Sequence, residues 1–216
     1  MMIKKNKILL FWFILLGCLT YSYAQETVNT REVETVAHKM FVDLNNLDYD
    51  AILGMTHPKV FDLVSKEQMK TLFMSMFEGN DEFSVEIPKT IPDYKVSDVY
   101  IGKENNLEYA FVSYDMSMKM TFNNQEFDEE GKEMMINMMK VQGMDVAFLS
   151  NSTMDVLMRD RVTILLKEDA TENKWVMINY DPDSPITYQL LSTDLLEKTK
   201  EYRQNLLLNS KKESDN

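Results

Sequence analysis

Asp160 is the residue whose position in the sequence best suits acid–base chemistry. It lies in a predicted strand, Met154 to Lys167, in which the other residues of its parity are apolar: Met154, Val156, Met158, Val162, Ile164 and Leu166. A carboxylate that faces an apolar concavity has a raised pKa and could act as a general base or acid. The alternative is a β-bulge across residues 159–161, which would turn Asp160 outward to pair with a flanking arginine.

Methionine is the second residue type whose spacing could carry chemistry. It forms two sets, one on a single face of a predicted strand and one on a predicted helix: Met116, Met118 and Met120, and Met134, Met135, Met138 and Met139. Alternating thioethers could bind Cu(I), but methionine also fills irregular cores, and periodicity assigns both sets to the interior. Core packing is therefore favoured over a metal site, with an apolar ligand pocket as the alternative. The candidate pocket residues are Tyr114, Met116, Met118, Met120 and Trp175.

The rest of the sequence lacks the patterns of common catalytic sites. It has no glycine-rich phosphate loop, no Gly-x-Ser-x-Gly elbow and no paired-histidine metal motif. Of the two histidines, His38 lies off the apolar stripe of its helix, and His57 opens the turn before Pro58, so we expect solvation for the first and local capping or packing for the second. No metal and no cofactor are predicted, and a non-catalytic protein is favoured over an enzyme.

The first 24 residues are typical of a secretory signal peptide. Three lysines precede an apolar stretch at residues 8–17, which is shorter than the roughly 20 residues of a spanning helix. Residues 22–24 suit cleavage before Gln25, and residues 15–18 resemble a lipobox that would leave a lipid on Cys18. We therefore expect an exported protein, periplasmic or extracellular, with a membrane-anchored lipoprotein as the alternative.

The leader also carries the only cysteine and part of the basic charge. Cleavage after Ala24 removes Cys18, which excludes disulfides and thiol chemistry from the mature domain. Removing the three lysines leaves 20 basic residues against 35 acidic ones, a net charge near −15. Such a surface is a poor partner for nucleic acid and for anionic lipid.

Apolar spacing predicts an α+β fold. Helical periodicity from Thr30 to Leu47 is followed by a short helix capped at Asp48 and by a third helix that begins at Ser65, where Gln68 completes a capping box. Period-two alternation then predicts strands at residues 83–87, 94–101, 110–122, 145–149, 154–167 and 174–180. Further helices are expected at residues 129–142 and after Ser192. One domain over residues 25–208 and a disordered polar tail at 209–216 complete the prediction.

This layout resembles the nuclear transport factor 2-like (SnoaL-like) superfamily, in which three amino-terminal helices pack into the mouth of a strongly curved antiparallel sheet and form a cone. The similarity covers residues 26–180, and it is carried by the helix junction at 46–50, the Thr56-His57-Pro58 step and the strand at 174–177. The helix at 129–142 and the carboxy-terminal helix depart from the minimal fold.

The resemblance implies a concave pocket, and isomerases of this superfamily use an aspartate inside the cone, although no motif matches that aspartate to Asp160. Three hypotheses follow. The first is an exported, non-catalytic module that binds a small apolar ligand or a protein partner in the pocket. The second is a structural or accessory envelope protein, and the third is a cofactor-free isomerase or lyase that uses Asp160. A homodimer through the outer sheet face is a further hypothesis, because interfaces in this superfamily often form there.

Overall fold

The amino-terminal part of the fold is helical. The structure, a computed structural model, describes residues 30–103 and 106–214, so the signal peptide and both processing sites lie outside the described residues. Helix α1 covers residues 30–45, α2 covers Tyr49–Met55 and α3 covers Lys66–Phe77, with a short 3-10 helix at Pro58–Asp62. The predicted caps are confirmed. Asp48 accepts a hydrogen bond from the Ala51 amide, and Ser65 and Gln68 form the reciprocal capping box.

Within residues 30–103 and 106–214, seven strands form one antiparallel sheet that is not closed. They are β1 (Phe83–Glu86), β2 (Tyr94–Val96), β3 (Tyr100–Ile101), β4 (Glu108–Phe122), β5 (Met144–Phe148), β6 (Thr153–Lys167) and β7 (Val176–Tyr180). The two long strands β4 and β6 lie together in the centre. Strands β1, β2 and β3 pair along the free edge of β4, and β5 and β7 pair along that of β6. The predicted α+β class is confirmed.

The predicted strand at residues 94–101 is interrupted at Ser97. The Phe111 amide of β4 donates to the hydroxyl of Ser97, and the Ser97 amide donates to the carbonyl of Phe111. A side chain thus takes the place of a backbone carbonyl in the ladder, and it ends β2. The result is two short strands instead of one.

A β-bulge divides both long strands into two parts. Tyr114 pairs with Arg161 and Met116 pairs with Met158, so that Asp115 stands opposite two residues of β6. Asp160, one of those two, has φ of 50°. The bulge predicted across residues 159–161 is therefore present, and it corrects the predicted single apolar face of β6. Because the bulge inserts one residue, Met154 and Val156 face one side of the sheet, whereas Val162, Ile164 and Leu166 face the other.

The bulge divides the sheet into two parts. The part that contains the first half of β4 and the second half of β6 is covered on both faces, and we call it the closed half. It contains β2, β3, β7, residues 108–114 of β4 and residues 161–167 of β6. On its inner face α1 and α2 bury a cluster that includes Val33, Ala37, Phe41, Ile52, Ala110, Val112 and Leu165. On its outer face the carboxy-terminal helix packs on a second cluster that includes Tyr109, Phe111, Val162, Ile164, Leu195 and Leu206.

The part on the other side of the bulge is called the open half. It contains β1, β5, residues 116–122 of β4 and residues 153–158 of β6. Helix α4 covers Glu129–Val141, close to the predicted bounds. Phe127, just before α4, packs on Phe122 and Phe148, so α4 starts on the inner face.

The chain ends in two helices, α5 (Pro185–Leu190) and α6 (Thr193–Ser214). Helix α5 is not predicted from the sequence, which predicts only that the preceding strand ends before it. Helix α6 continues into the predicted tail, since it reaches Ser214, and the Ser210 hydroxyl donates to Asp160 at the bulge (2.8 Å). No helix within residues 30–103 and 106–214 is long and apolar enough to cross a membrane.

Candidate binding groove

Two helices flank the inner face of the open half, and we call the sheet surface between them the groove. Helix α3 contacts β1 and helix α4 contacts β5, and these strands are the two edges of the sheet at this end. The central strands β4 and β6 therefore form the floor of the groove. Met116, Met118 and Met120 are half-buried on that floor, which places three of the predicted pocket residues together.

The helices that flank the groove are incompletely buried. Neither α3 nor α4 has a single buried residue. Leu72 of α3 is 57% exposed, and Met134, Met138 and Val141 of α4 are 67%, 49% and 89% exposed. The last three are spaced i, i+4, i+7 and form one stripe on the helix. A group of neighbouring exposed apolar side chains is typical of a surface that another molecule covers.

Methionine is concentrated around the groove. Most of the 18 methionines of the chain belong to α3, α4, β5 and the open-half segments of β4 and β6. They are Met69, Met74, Met76, Met116, Met118, Met120, Met134, Met135, Met138, Met139, Met144, Met154 and Met158. A flexible, polarizable side chain lets such a surface adapt to apolar groups of different shape.

Helix α1 limits the groove at the bulge. Phe41 of α1 contacts Tyr114 edge to face, with ring centroids 4.9 Å apart. A cavity of about 80 Å³ lies beside them, lined in part by Leu44, Pro88 and Met116. This volume holds two or three water molecules at roughly 30 Å³ each, so it is a recess of the groove and too small for a drug-sized ligand.

Trp175 lies apart from the other predicted pocket residues. It is 8% exposed in the inner cluster of the closed half, and Lys167 Nζ lies 5.6 Å from its ring centre. The next residue, Val176, pairs with Leu166, whereas Met116 pairs with Met158. Eight residues of β6 separate these pairs, roughly 25 Å at the rise of a strand. The structure thus brings Tyr114 and the three methionines together and leaves Trp175 in the core.

Asp160 lies at the bulge on the outer side of the sheet. Its carboxylate accepts a hydrogen bond from Ser210 of α6 (2.8 Å), and its amide donates to Oδ1 of Asp115 (2.9 Å). The neighbouring Arg159 binds Asp145 through Nε (2.8 Å). The outward turn expected for a bulge is therefore present, but the partner of Asp160 is a hydroxyl group and not an arginine.

The outer face of the open half carries two clefts with mixed apolar and polar walls. Two clefts of about 540 and 780 Å³ adjoin there, and Ser117 and Leu157 line both. Two exposed ion pairs lie beside them, Lys119 with Glu86 (2.6 Å) and Arg159 with Asp145 (2.8 Å). These clefts combine ion pairs with apolar side chains such as Leu157, whereas methionine predominates around the groove.

His57 is a buried structural residue. Its Nδ1 accepts a hydrogen bond from the Lys59 amide (3.2 Å), so Nε2 carries the proton that it donates to Glu168 (3.1 Å). Burial lowers the pKa of His57, which outweighs the opposite effect of Glu168. The side chain caps the 3-10 helix, in agreement with the predicted local role, and it ties that helix to the end of β6.

The sequence contained a signal for the exposed side of α4. Met134 and Met138 accompany Met135 and Met139, so the apolar stripe is wider than one packed face requires. The sequence predicts that both pairs fill the core. In the structure Met135 and Met139 are half-buried, and Met134 and Met138 are exposed.

Within the part of the chain that the structure describes, no group of three or more His, Cys, Asp or Glu residues could hold a metal ion. Comparison with protein-family models, with curated proteins and with solved structures found no match for this chain.

Proposed function

We propose that this protein is an exported, non-catalytic binding module whose groove between α3 and α4 takes an apolar ligand or the apolar side of a protein partner. The observation that carries the proposal is that both flanking helices lack a buried residue while the floor between them is half-buried methionine. The site would comprise Met116, Met118 and Met120 with the exposed stripe of α4.

The energetic basis is the burial of apolar surface. Each Å² removed from water contributes about 25 cal/mol, so a contact of about 300 Å² supplies roughly 7 kcal/mol before the costs of association. The charged groups of the outer clefts offer less, because exposed ion pairs contribute only about 0 to 1 kcal/mol each. The groove is the candidate surface that we propose because exposed apolar side chains of α3 and α4 flank its methionine floor.

The family and the location are part of the same proposal. Three amino-terminal helices precede an antiparallel sheet, which supports a nuclear transport factor 2-like fold with α4 and α6 as additions. Export rests on the lysine-rich and apolar start of the sequence. Catalysis by Asp160 is not proposed, since its carboxylate accepts a hydrogen bond from Ser210 of α6 at the open cleft of the outer face.

The test is native mass spectrometry of the mature domain purified from its own envelope, followed by denaturation to release bound molecules. We expect a bound apolar molecule or partner that is lost in Met118→Trp, because the indole fills the floor of the groove. Leu157→Trp is the matched control. Leu157 lies in the adjacent strand and pairs with Ser117, so it faces the outer side.

Each outcome is informative. Loss of the bound species in Met118→Trp but not in Leu157→Trp supports the groove as the site. An equal loss in both variants, or a domain that carries nothing, overturns the proposal and leaves the accessory envelope protein as the interpretation.

A further inference from the structure

One end of the groove is acidic. Helix α3 ends at Phe77 and is followed by the segment 78–82, and α4 begins at Glu129 after the segment 123–128. Three hydrogen bonds join the segments: the Asn123 amide to the Glu82 carbonyl, and the side chains of Asn123 and Asn124 to the carbonyls of Asn80 and Asp81. The two segments therefore lie side by side at the same end of the sheet.

These segments and the first turn of α4 carry many exposed carboxylates. They are Glu78, Asp81, Glu82, Glu126, Asp128, Glu129 and Glu130. Asp128 caps α4, and Glu129 pairs with Lys132 (2.7 Å). Within the described part of the chain, Asp81, Glu82, Glu126 and Glu130 make no salt bridge, so their charge is available to another molecule.

The opposite end of the groove differs in charge. Lys140 lies in the last turn of α4 and Lys66 in the first turn of α3, where Glu67 also lies, and Lys70 pairs with Asp50 (2.7 Å). Positive and negative charges are mixed there, so the excess of unpaired negative charge is at the first end. An apolar floor with one acidic end fits an elongated partner with an apolar side and a cationic end. A small apolar molecule would use the floor but gain nothing from this charge.

We infer that the occupant of the groove is a cationic amphipathic segment of another protein. Its apolar side would lie on the methionine floor, and its Lys or Arg residues would lie at the end formed by residues 78–82 and 126–130. This inference rests on the proposed function, because it names the partner class of the same groove. Long-range attraction between exposed charges also raises the association rate, and it is screened by salt.

The test uses synthetic amphipathic peptides about four helical turns long, in which leucine forms one face. Three versions carry lysine, glutamine or glutamate on the polar face. We expect the lysine peptide to bind about tenfold more tightly than the glutamine peptide at low salt, and this advantage to disappear in about 0.5 M NaCl. The glutamate peptide should bind most weakly. Binding is measured by fluorescence anisotropy of the labelled peptides.

A matched pair of variants separates local charge from net charge. The first carries Asp81→Asn, Glu82→Gln, Glu126→Gln and Glu130→Gln at the acidic end. The second removes four exposed carboxylates elsewhere: Glu34→Gln, Asp62→Asn, Asp169→Asn and Glu197→Gln. The first should lose about tenfold in affinity for the lysine peptide, and the second should lose less than about twofold.

Failure of the inference and failure of the proposed function give different results. Equal binding of the lysine and glutamine peptides, with loss in Met118→Trp, retains the groove and overturns the cationic partner. Equal loss in the two charge variants also overturns it, since attraction to net charge would then explain the affinity. Binding that survives Met118→Trp, or no binding of any peptide, overturns the proposed groove itself.

Discussion

The backbone amide of Asp160 donates a hydrogen bond to the Oδ1 atom of Asp115 (2.9 Å). The two residues face each other across the long strands at the point where the register shifts. The carboxylate of Asp115 satisfies a donor that the bulge removes from the ladder, while Asp160 adopts φ of 50°. This contact fixes the bulge that divides the closed half of the sheet from the open half.

The backbone of Asp160 determines which residues can replace it. Asp160→Gly relieves the cost of a left-handed conformation but loses the Ser210 contact, so we expect the free energy of unfolding to change by less than about 0.5 kcal/mol. Asp160→Val places a β-branched residue at positive φ, and it should destabilise the protein by about 2 to 3 kcal/mol. Urea unfolding at neutral pH measures both changes.

Asp155→Val is the control for this prediction, because Asp155 is exposed in a regular part of the same strand and valine suits a strand. Its stability should stay within about 0.5 kcal/mol of the parent protein. If Asp160→Gly and Asp160→Val were equally stable, backbone strain would not govern this position.

His57 should make stability depend on pH. Its pKa is lowered below the usual 6.5 by burial, so the unfolded chain takes up a proton at a higher pH than the folded protein. The contribution of His57 is fully present above pH 6.5 and is lost as the pH falls from there toward the folded pKa. His57→Gln should flatten this dependence, measured by urea unfolding between about pH 5 and 8.

His38→Gln provides the comparison for this titration, since His38 is exposed on α1. A slope that persists in His57→Gln would assign the pH dependence to other groups.

Tyr202 should anchor α6 to the outer face. Its ring stacks on Phe111 with centroids 4.4 Å apart, and its hydroxyl donates to Ser113 over 3.3 Å. Tyr202→Ala removes the stacking and should cost about 3 kcal/mol. Tyr202→Phe loses only a long hydrogen bond and should cost less than about 1 kcal/mol. Chemical unfolding of both variants tests this, and equal losses would show that the hydroxyl, not the ring, holds the helix.

Local signals in the sequence were sufficient for much of the fold. The capping box at Ser65 and Gln68 and the cap at Asp48 involve neighbours in sequence, so their chemistry could be recognised directly. The alternation along β4 was also sufficient, because its register is regular on both sides of the bulge. These elements gave the α+β class and placed Met116, Met118 and Met120 on one face.

Other features depend on contacts that are distant in sequence. The bulge depends on Asp115, 45 residues before Asp160, and periodicity alone left both orientations of Asp160 open. Residues 209–216 are polar and predict a disordered tail. Ser210 nevertheless lies within α6 and donates a hydrogen bond to Asp160, 50 residues earlier in the chain. Trp175 is a pocket candidate from its place in the predicted strand at residues 174–180, but the position of β7 along β6 places it in the closed half.

The two sides of α4 should respond differently to the same substitution. Met135 is half-buried, and Met138 is 49% exposed on the same helix. Met135→Gln buries an amide group and should destabilise the protein by about 1 to 2 kcal/mol. Met138→Gln should change stability by less than about 0.5 kcal/mol, yet weaken the glutamine peptide several-fold by removing about one apolar contact from the groove. Urea unfolding and peptide anisotropy, measured on both variants, separate the effects. If Met138→Gln left peptide binding unchanged, the exposed stripe of α4 would not belong to the binding surface.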